Sequence, residues 1–177
     1  MLKKIMIALG AGLVLLLAAA FYMVNHKVRH EAFSTEFISA PIPEGFLPIS
    51  ENKPYFRAFM TKAKAPEEAM EMILASPPGT YFDPGNMVML NFSAVPSKVP
   101  CDQLYQLISA PAPEKVSARV DIAGRTWLRN YHKSQNTLEY FDCSGGVART
   151  LVYSNPARTI ADLPAFSSAH LATVTFP

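Results

Sequence analysis

Residues 5–24 form an uncharged, largely apolar run. As an α-helix, a run of this length spans about 30 Å, which is the thickness of the hydrocarbon core of a bilayer. Lys3 and Lys4 precede the run, and a short basic start is typical of segments that target a chain to a membrane. The sequence therefore predicts a membrane-targeting helix over residues 1–24.

Two interpretations of this helix stay open, and the basic start disfavours a third, a buried core helix. As a signal anchor, it crosses the bacterial inner membrane once and places the C-terminal domain in the periplasm. The length of the run favours the anchor, because the apolar core of a cleaved signal peptide usually has about 7–15 residues. As a signal peptide, it is cleaved near Ala20, after a stretch of small residues, and the chain is secreted to the periplasm.

Beyond this segment the chain is close to neutral. Once Lys3 and Lys4 are set aside, basic and acidic residues are equal in number. Nucleic-acid binding depends on basic side chains that neutralise phosphates, so no nucleic acid is expected as a partner. Hydrophobic residues make up 50 % of the sequence, which predicts a folded chain. We expect a polar stalk over residues 25–35 and a single extracytoplasmic domain over residues 36–177.

The two cysteines of the chain are Cys101 and Cys143, separated by 42 residues. This spacing matches neither a CxxC redox motif nor a zinc-binding pattern. In an exported domain, a pair of cysteines usually forms a structural disulfide. We therefore predict a disulfide bond between Cys101 and Cys143, with two buried free thiols as the alternative.

The clearest strand pattern of the chain begins at Val116. Val116, Val120 and Ile122 alternate with polar residues, which indicates a strand with one buried and one solvated face. Further strand patterns, each separated from the last by a short turn sequence, cover 125–132, 138–143 and 147–153. The four together predict an antiparallel meander.

The remaining patterns are shorter. Helices are predicted over residues 65–76, 102–110 and 163–171, and strands over 36–40, 55–61, 88–95 and 172–176. The predicted fold class is α+β: an antiparallel β-sheet with two or three helices packed mainly on one face, preceded by one N-terminal transmembrane or signal helix.

No catalytic or metal-binding motif is recognisable. His132 and His170 belong to neither an HxH nor an HExxH pattern, and the sequence contains no nucleophile elbow or phosphate-binding glycine loop. We therefore predict no catalytic residue, no metal and no cofactor. The chain is expected not to be an enzyme, although the sequence leaves this point uncertain.

Charged residues of the meander have two interpretations. Asp121 and Glu139 are assigned to its solvated face, where Arg119, Arg125 and Arg129 favour cross-strand ion pairs. A catalytic pair of carboxylates is the alternative, and it requires the two acidic side chains to lie close together.

Trp127 and Tyr131 share one face of a predicted strand. Packing in the core is favoured, because Trp127 is the only tryptophan and aromatic side chains dominate the cores of small domains. The alternative is an exposed interaction surface in which Trp127, Tyr131 and Arg129 contact another protein.

Three short sequences, in this order along the elements, are similar to the PsbP-like fold group. They are Pro-Glu-Gly-Phe at 43–46, Ile-Ala-Gly-Arg at 122–125 and Leu-Ala-Thr-Val-Thr-Phe at 171–176. The resemblance covers residues 33–177. This fold group includes small extracytoplasmic proteins of bacteria, and it has members that bind or stabilise other proteins, so the resemblance implies a role without catalysis.

The functional expectation combines these observations. We expect a membrane-tethered, non-catalytic envelope protein that is held by residues 5–24 and binds another envelope protein, as an accessory or assembly subunit of a membrane complex. The alternative is a soluble exported protein that binds a ligand or acts as an immunity or inhibitor protein. A periplasmic enzyme is the least favoured function, and the sequence leaves any small-molecule ligand unknown.

Overall fold

The structure is a computed structural model that describes residues 26–177 together with Leu17 and Phe21. The predicted targeting helix over residues 1–24 lies outside the described residues, apart from those two. Within the described part of the chain, every helix is too short or too polar to cross a membrane.

The described residues form two compact units. The helical unit contains residues 26–28 and 49–76, and the sheet unit contains residues 29–48 and 77–177. The chain thus leaves the sheet unit at Ile49 and returns to it at Pro77, a division that the sequence analysis did not predict. The single domain over residues 36–177 remains a prediction.

The helical unit begins with helix α1 (Lys53–Lys62), which corrects the strand predicted over residues 55–61. Pro54 occupies the first turn, where its missing N–H costs no hydrogen bond. Phe56 and Met60, one helical turn apart, are both buried. The helical spacing of these large side chains outweighs the weak alternation on which the strand prediction rested.

Helix α2 (Glu67–Leu74) confirms the helix predicted in this region. Glu67 and Glu68 lie in its first turn, where carboxylates interact favourably with the positive end of the helix dipole. Arg57 of α1 forms an ion pair with Glu71 of α2 at 2.8 Å, which joins the two helices.

The sheet unit is built on seven antiparallel strands in the spatial order β3-β4-β5-β9-β8-β7-β6. Their bounds are β3 (Leu47–Pro48), β4 (Thr80–Asp83), β5 (Val88–Pro96), β6 (Lys115–Ile122), β7 (Arg125–His132), β8 (Thr137–Ser144) and β9 (Val147–Ser154). Strands β6 to β9 are consecutive neighbours, which confirms the predicted meander.

A separate hairpin precedes this sheet. Strand β1 (Ala32–Thr35) pairs with β2 (Ile38–Pro41), so β1 lies within the segment predicted as stalk, residues 25–35. Phe33 of β1 stacks on Phe92 of β5, with ring centroids 5.7 Å apart. This contact with the core explains why a segment of polar appearance is ordered as a strand.

Two helices pack on opposite faces of the sheet. Tyr140 and Phe141 are neighbours in β8, so their side chains point to opposite faces. Tyr140 hydrogen-bonds to Ser167 of helix α4 (Leu163–Leu171) at 2.8 Å, whereas Phe141 contacts helix α3 (Cys101–Ser109). The prediction that the helices pack mainly on one face is therefore wrong for α3 and α4.

The larger core lies on the face of the sheet that α4 covers. Its buried members include the aromatic residues Tyr81, Phe92, Trp127, Tyr140 and Tyr153. On the face that α3 covers, a smaller cluster comprises Leu128, Phe141 and Cys143.

The predicted last strand, over residues 172–176, is reduced to a single bridge. Ser39 and Thr175 exchange two backbone hydrogen bonds of 2.9 and 2.8 Å, and no longer ladder forms in this described segment. Helix α4 immediately precedes it, as predicted, and Asp162 caps that helix by accepting a hydrogen bond from the Ala165 N–H.

Candidate interaction surface

Helix α3 is fixed to the sheet at its first two turns. The predicted Cys101–Cys143 disulfide is confirmed, with the two Cα atoms 5.4 Å apart. One turn further on, the hydroxyl of Tyr105 accepts a hydrogen bond from the Cys143 N–H at 3.0 Å, and its ring lies edge-on to Phe141. A covalent bond and a hydrogen bond to the same residue therefore set the position of this short helix on β8.

An open groove lies between α3 and the sheet. This α3–β6 groove has a volume of about 490 Å³. It is lined by Cys101, Asp102, Tyr105, Gln106, Ser109, Arg119 and Leu128. The disulfide, the tyrosine ring and Leu128 contribute to a predominantly apolar surface, and polar side chains of α3 also line the groove. Leu107, also on α3, is 69 % exposed.

Arg119 is the basic residue that lines the α3–β6 groove, and Asp102 on α3 is the acidic one. The Arg119 guanidinium lies over the ring of Tyr105, 5.5 Å from the centroid, a geometry that attracts a cation to an aromatic face. The side chain is exposed, and no carboxylate forms an ion pair with it in the described part of the chain. An acidic group that enters the groove would thus meet a guanidinium that is already positioned.

Strand β6 forms the edge of the sheet beside this groove. It pairs with β7 over all eight of its residues and is the last strand in the sheet order. Val116 on this strand is 45 % exposed. The groove is the candidate interaction surface of the sheet unit, and the free edge of β6 borders it.

A second charged cluster lies near the β8–β9 turn. One carboxylate oxygen of Asp142 accepts hydrogen bonds from Arg125 at 2.6 Å and from Arg149 at 3.1 Å. The Ser144 hydroxyl donates to the same oxygen at 3.0 Å. Asp142 and Arg149 are both buried, while the Arg125 side chain is 31 % exposed. This arrangement is a structural ion-pair network that fixes the end of the sheet.

No sequence pattern indicated a role for Asp142 or Arg149. An indirect signal lay in Gly145 and Gly146, both of which have positive φ and form a two-residue hairpin turn. Such a turn fixes the register of β8 and β9, and that register places Asp142 directly opposite Arg149.

The alternative interaction surface predicted from the sequence comprises Trp127, Tyr131 and Arg129, and the structure places all three on β7. Trp127 is only 1 % exposed and belongs to the larger core, as the favoured interpretation required. Tyr131 and Arg129 are half-buried. The Tyr131 hydroxyl donates to the Asn136 side chain at 3.0 Å. An exposed patch centred on Trp127 is therefore excluded, because the indole has almost no solvent contact.

Asp121 and Glu139 are not brought together. Asp121 accepts a hydrogen bond from Thr126 of the neighbouring strand at 2.5 Å. Glu139 accepts one from Asn130 at 2.9 Å. Strand β7 separates the two carboxylates, so they form no catalytic pair.

The sequence also predicted cross-strand ion pairs between these two carboxylates and the arginines of the meander, and this prediction is wrong. Among the described residues, neither Asp121 nor Glu139 pairs with a cation. Arg125 instead binds Asp142, which is buried and offers a stronger interaction than a solvated carboxylate does. Arg119 is directed to Tyr105.

The histidines named in the sequence analysis have different surroundings. His132 is half-buried at the end of β7. His170 on α4 is buried, and its Nε2 donates to the Pro41 carbonyl at 2.7 Å. Its Nδ1 therefore accepts from the Tyr153 hydroxyl, at 2.9 Å. Burial lowers the pKa of His170, although the hydrogen bond to Pro41 acts in the opposite direction.

Burial also raises the pKa of Tyr153, and the neighbouring Tyr140 adds to this effect. The Tyr153–His170 pair is consequently neutral at physiological pH and serves as a hydrogen-bonded part of the core. Over the range 26–177, no group of three or more His, Cys, Asp or Glu side chains is arranged to hold a metal ion.

Comparison of the chain with protein-family models and with curated protein sequences finds no match. The similarity to the PsbP-like fold group therefore rests on the short sequences given above and remains a prediction.

Proposed function

We propose that this protein is a membrane-tethered, non-catalytic envelope protein whose sheet unit binds a segment of another envelope protein in the α3–β6 groove. The membrane tether is the helix predicted over residues 5–24. In this role the protein is an accessory or assembly subunit of a membrane complex, and the groove contacts the partner.

The observation that carries this proposal is the position of Arg119. Arginine and tyrosine are enriched at protein-binding sites, and here the Arg119 guanidinium lies over the Tyr105 ring beside an apolar surface, with no ion pair among the described residues. This arrangement fits a segment that presents an apolar side chain to Tyr105 and Leu128 and an adjacent Asp or Glu to Arg119. Charge complementarity to Arg119 is thus the feature that we expect of the partner at this position.

The shape of the groove favours a protein over a small molecule. The groove is open to solvent, and its lining is predominantly apolar. Small-molecule sites usually enclose most of the ligand surface, whereas protein partners bind to shallower surfaces with exposed apolar residues.

Co-purification of the full-length protein from its own membranes tests the proposal. The wild-type protein and an Arg119→Glu variant are compared with Arg158→Glu, which reverses an exposed arginine elsewhere in the sheet unit. We expect an envelope protein in stoichiometric amount with the wild type and the Arg158 variant, and its loss with Arg119→Glu. A partner retained equally by all three proteins would contradict the proposed site.

A further inference from the structure

The edge of β6 is regular and carries unpaired backbone groups. Its register with β7 runs without a bulge from Lys115 opposite His132 to Ile122 opposite Arg125. The Glu114 carbonyl accepts from the Lys133 N–H at 3.1 Å, so the main chain at residue 114 faces β7. Since this direction alternates along an antiparallel strand, the N–H and C=O groups of Ser117, Arg119 and Asp121 point away from the sheet.

Such an edge is a template for another strand. Natural proteins protect long edges with proline, with bulges or with a covering element. Strand β6 contains no proline and no bulge, and the described residues place no further strand against it. The charged residues of β6 are the remaining protection of this edge. Their positions favour pairing with another strand in one particular register.

We propose that β6 pairs antiparallel with β6 of a second copy of this chain, about a two-fold axis at Ala118. In this register Lys115 lies opposite Asp121 of the second copy, and Val116 lies opposite Val120. Ser117 lies opposite Arg119, and both have outward-facing main-chain groups, so the pair exchanges hydrogen bonds. The two seven-stranded sheets then form one continuous sheet.

Both charges of the proposed ion pair remain available for it. The Lys115 ammonium donates to the Ile108 carbonyl at 3.0 Å, and the Asp121 carboxylate accepts from Thr126. Neither side chain forms an ion pair within the described chain. The two-fold axis doubles the interaction, because each copy contributes one lysine and one aspartate.

Other registers of the same two strands are less favourable. An axis at Arg119 places two arginines opposite each other, and an axis at Ser117 places Lys115 opposite Arg119. Like charges directly opposite each other destabilise a sheet. An axis at Val120 pairs Arg119 with Asp121, but it overlaps only residues 118–122. A two-fold axis placed midway between two residues would set each outward-facing residue opposite an inward-facing one, so the two strands could not exchange backbone hydrogen bonds.

This inference does not depend on the proposed function, since it concerns the outer edge of β6 and a second copy of the same chain. The exposed Val116, which no core residue covers fully, gains a partner in Val120 of the second copy. Self-association by this edge also removes a surface that would otherwise favour aggregation.

Charge reversal in the full-length protein, in detergent solution, tests the register. Lys115→Asp places two aspartates opposite each other, Asp121→Lys places two lysines there, and the double variant restores opposite charges. We expect each single reversal to weaken self-association about tenfold, in line with the energy of cross-strand charge pairs, and the double variant to recover it. The quantity measured is the dimer dissociation constant, by analytical ultracentrifugation.

A second measurement covers the case in which a reversed residue disturbs folding. Ala118→Cys places one thiol of each copy on the axis, where opposite Cα atoms of a non-hydrogen-bonded pair lie about 4.5 Å apart, within reach of a disulfide. We expect rapid oxidation to a cross-linked dimer joined through residue 118. A monomeric wild type, a dimer that the single reversals leave unchanged, or no cross-link at residue 118 would overturn the proposal.

Discussion

The Tyr105 hydroxyl and the Cys143 N–H are joined by a hydrogen bond of 3.0 Å. Cys143 is also bonded through its sulfur to Cys101, one turn before Tyr105 on helix α3. The helix is thus held to one residue of β8 by two different interactions. This double attachment positions the wall of the α3–β6 groove, which is lined by residues of the same helix.

The first prediction concerns the disulfide. Replacing Cys101 and Cys143 together by serine should lower the free energy of unfolding by about 2–4 kcal/mol, mainly because the unfolded chain loses a constraint. Urea denaturation of the double variant and the wild type measures the difference. Reduction of the wild type should cause a loss of the same size, and an unchanged midpoint would contradict the structural role.

Substitutions in the charged cluster around Asp142 should lower the free energy of unfolding by different amounts. Asp142→Asn should destabilise the fold by about 3–5 kcal/mol, since it leaves buried Arg149 without its carboxylate. Arg125→Gln should cost less, because that side chain is partly exposed and water can replace the pairing. Thermal or urea unfolding measures both variants. A larger loss for Arg125→Gln than for Asp142→Asn would be inconsistent with the burial observed.

The third prediction is a dependence of stability on pH. Because the pKa of His170 is lowered in the fold, the unfolded chain binds more protons than the folded one between that pKa and about 6.5. The free energy of unfolding should therefore fall as the pH drops below about 6.5, and this contribution should level off below the folded-state pKa. His170→Gln should lose that part of the pH dependence, while His132→Gln serves as the matched control.

The fourth prediction tests the position of Trp127. Trp127→Ala should cost about 3–5 kcal/mol, the usual loss for a large buried aromatic. Val116→Ala, at an exposed position on the adjacent strand, should change the stability of the isolated subunit by less than about 1 kcal/mol. Comparable losses for the two variants would mean that the indole is not part of the core.

The meander was predictable because its signal is local. Alternation along β6 and short turns between strands specify neighbouring antiparallel strands without information from the rest of the chain. The sequence did not predict helix α1, because the spacing of Tyr55 and Phe59 fits both the two-residue period of a strand and the 3.6-residue period of a helix. In the structure they are one turn apart and stack with centroids 6.5 Å apart.

The groove was less predictable, because it depends on where a helix lies on a sheet. The sequence predicted both α3 and the disulfide, but not which face of the sheet α3 covers. Arg119 was expected to pair with a carboxylate on its own face, yet the helix brings Tyr105 above it instead. A contact between elements distant in sequence has no local pattern, so only the packed structure reveals it.

Site-specific photocrosslinking in living cells is the most direct test of whether the α3–β6 groove binds another protein. A photoreactive amino acid is placed at Gln106, which lines the groove, and in a matched control at Gln103, which is exposed on the same helix but does not line it. We predict a discrete cross-link from position 106 to one envelope protein, at a segment that combines an apolar residue with Asp or Glu, and none from position 103. The same adducts from both positions, or no adduct from position 106, would contradict binding in the groove.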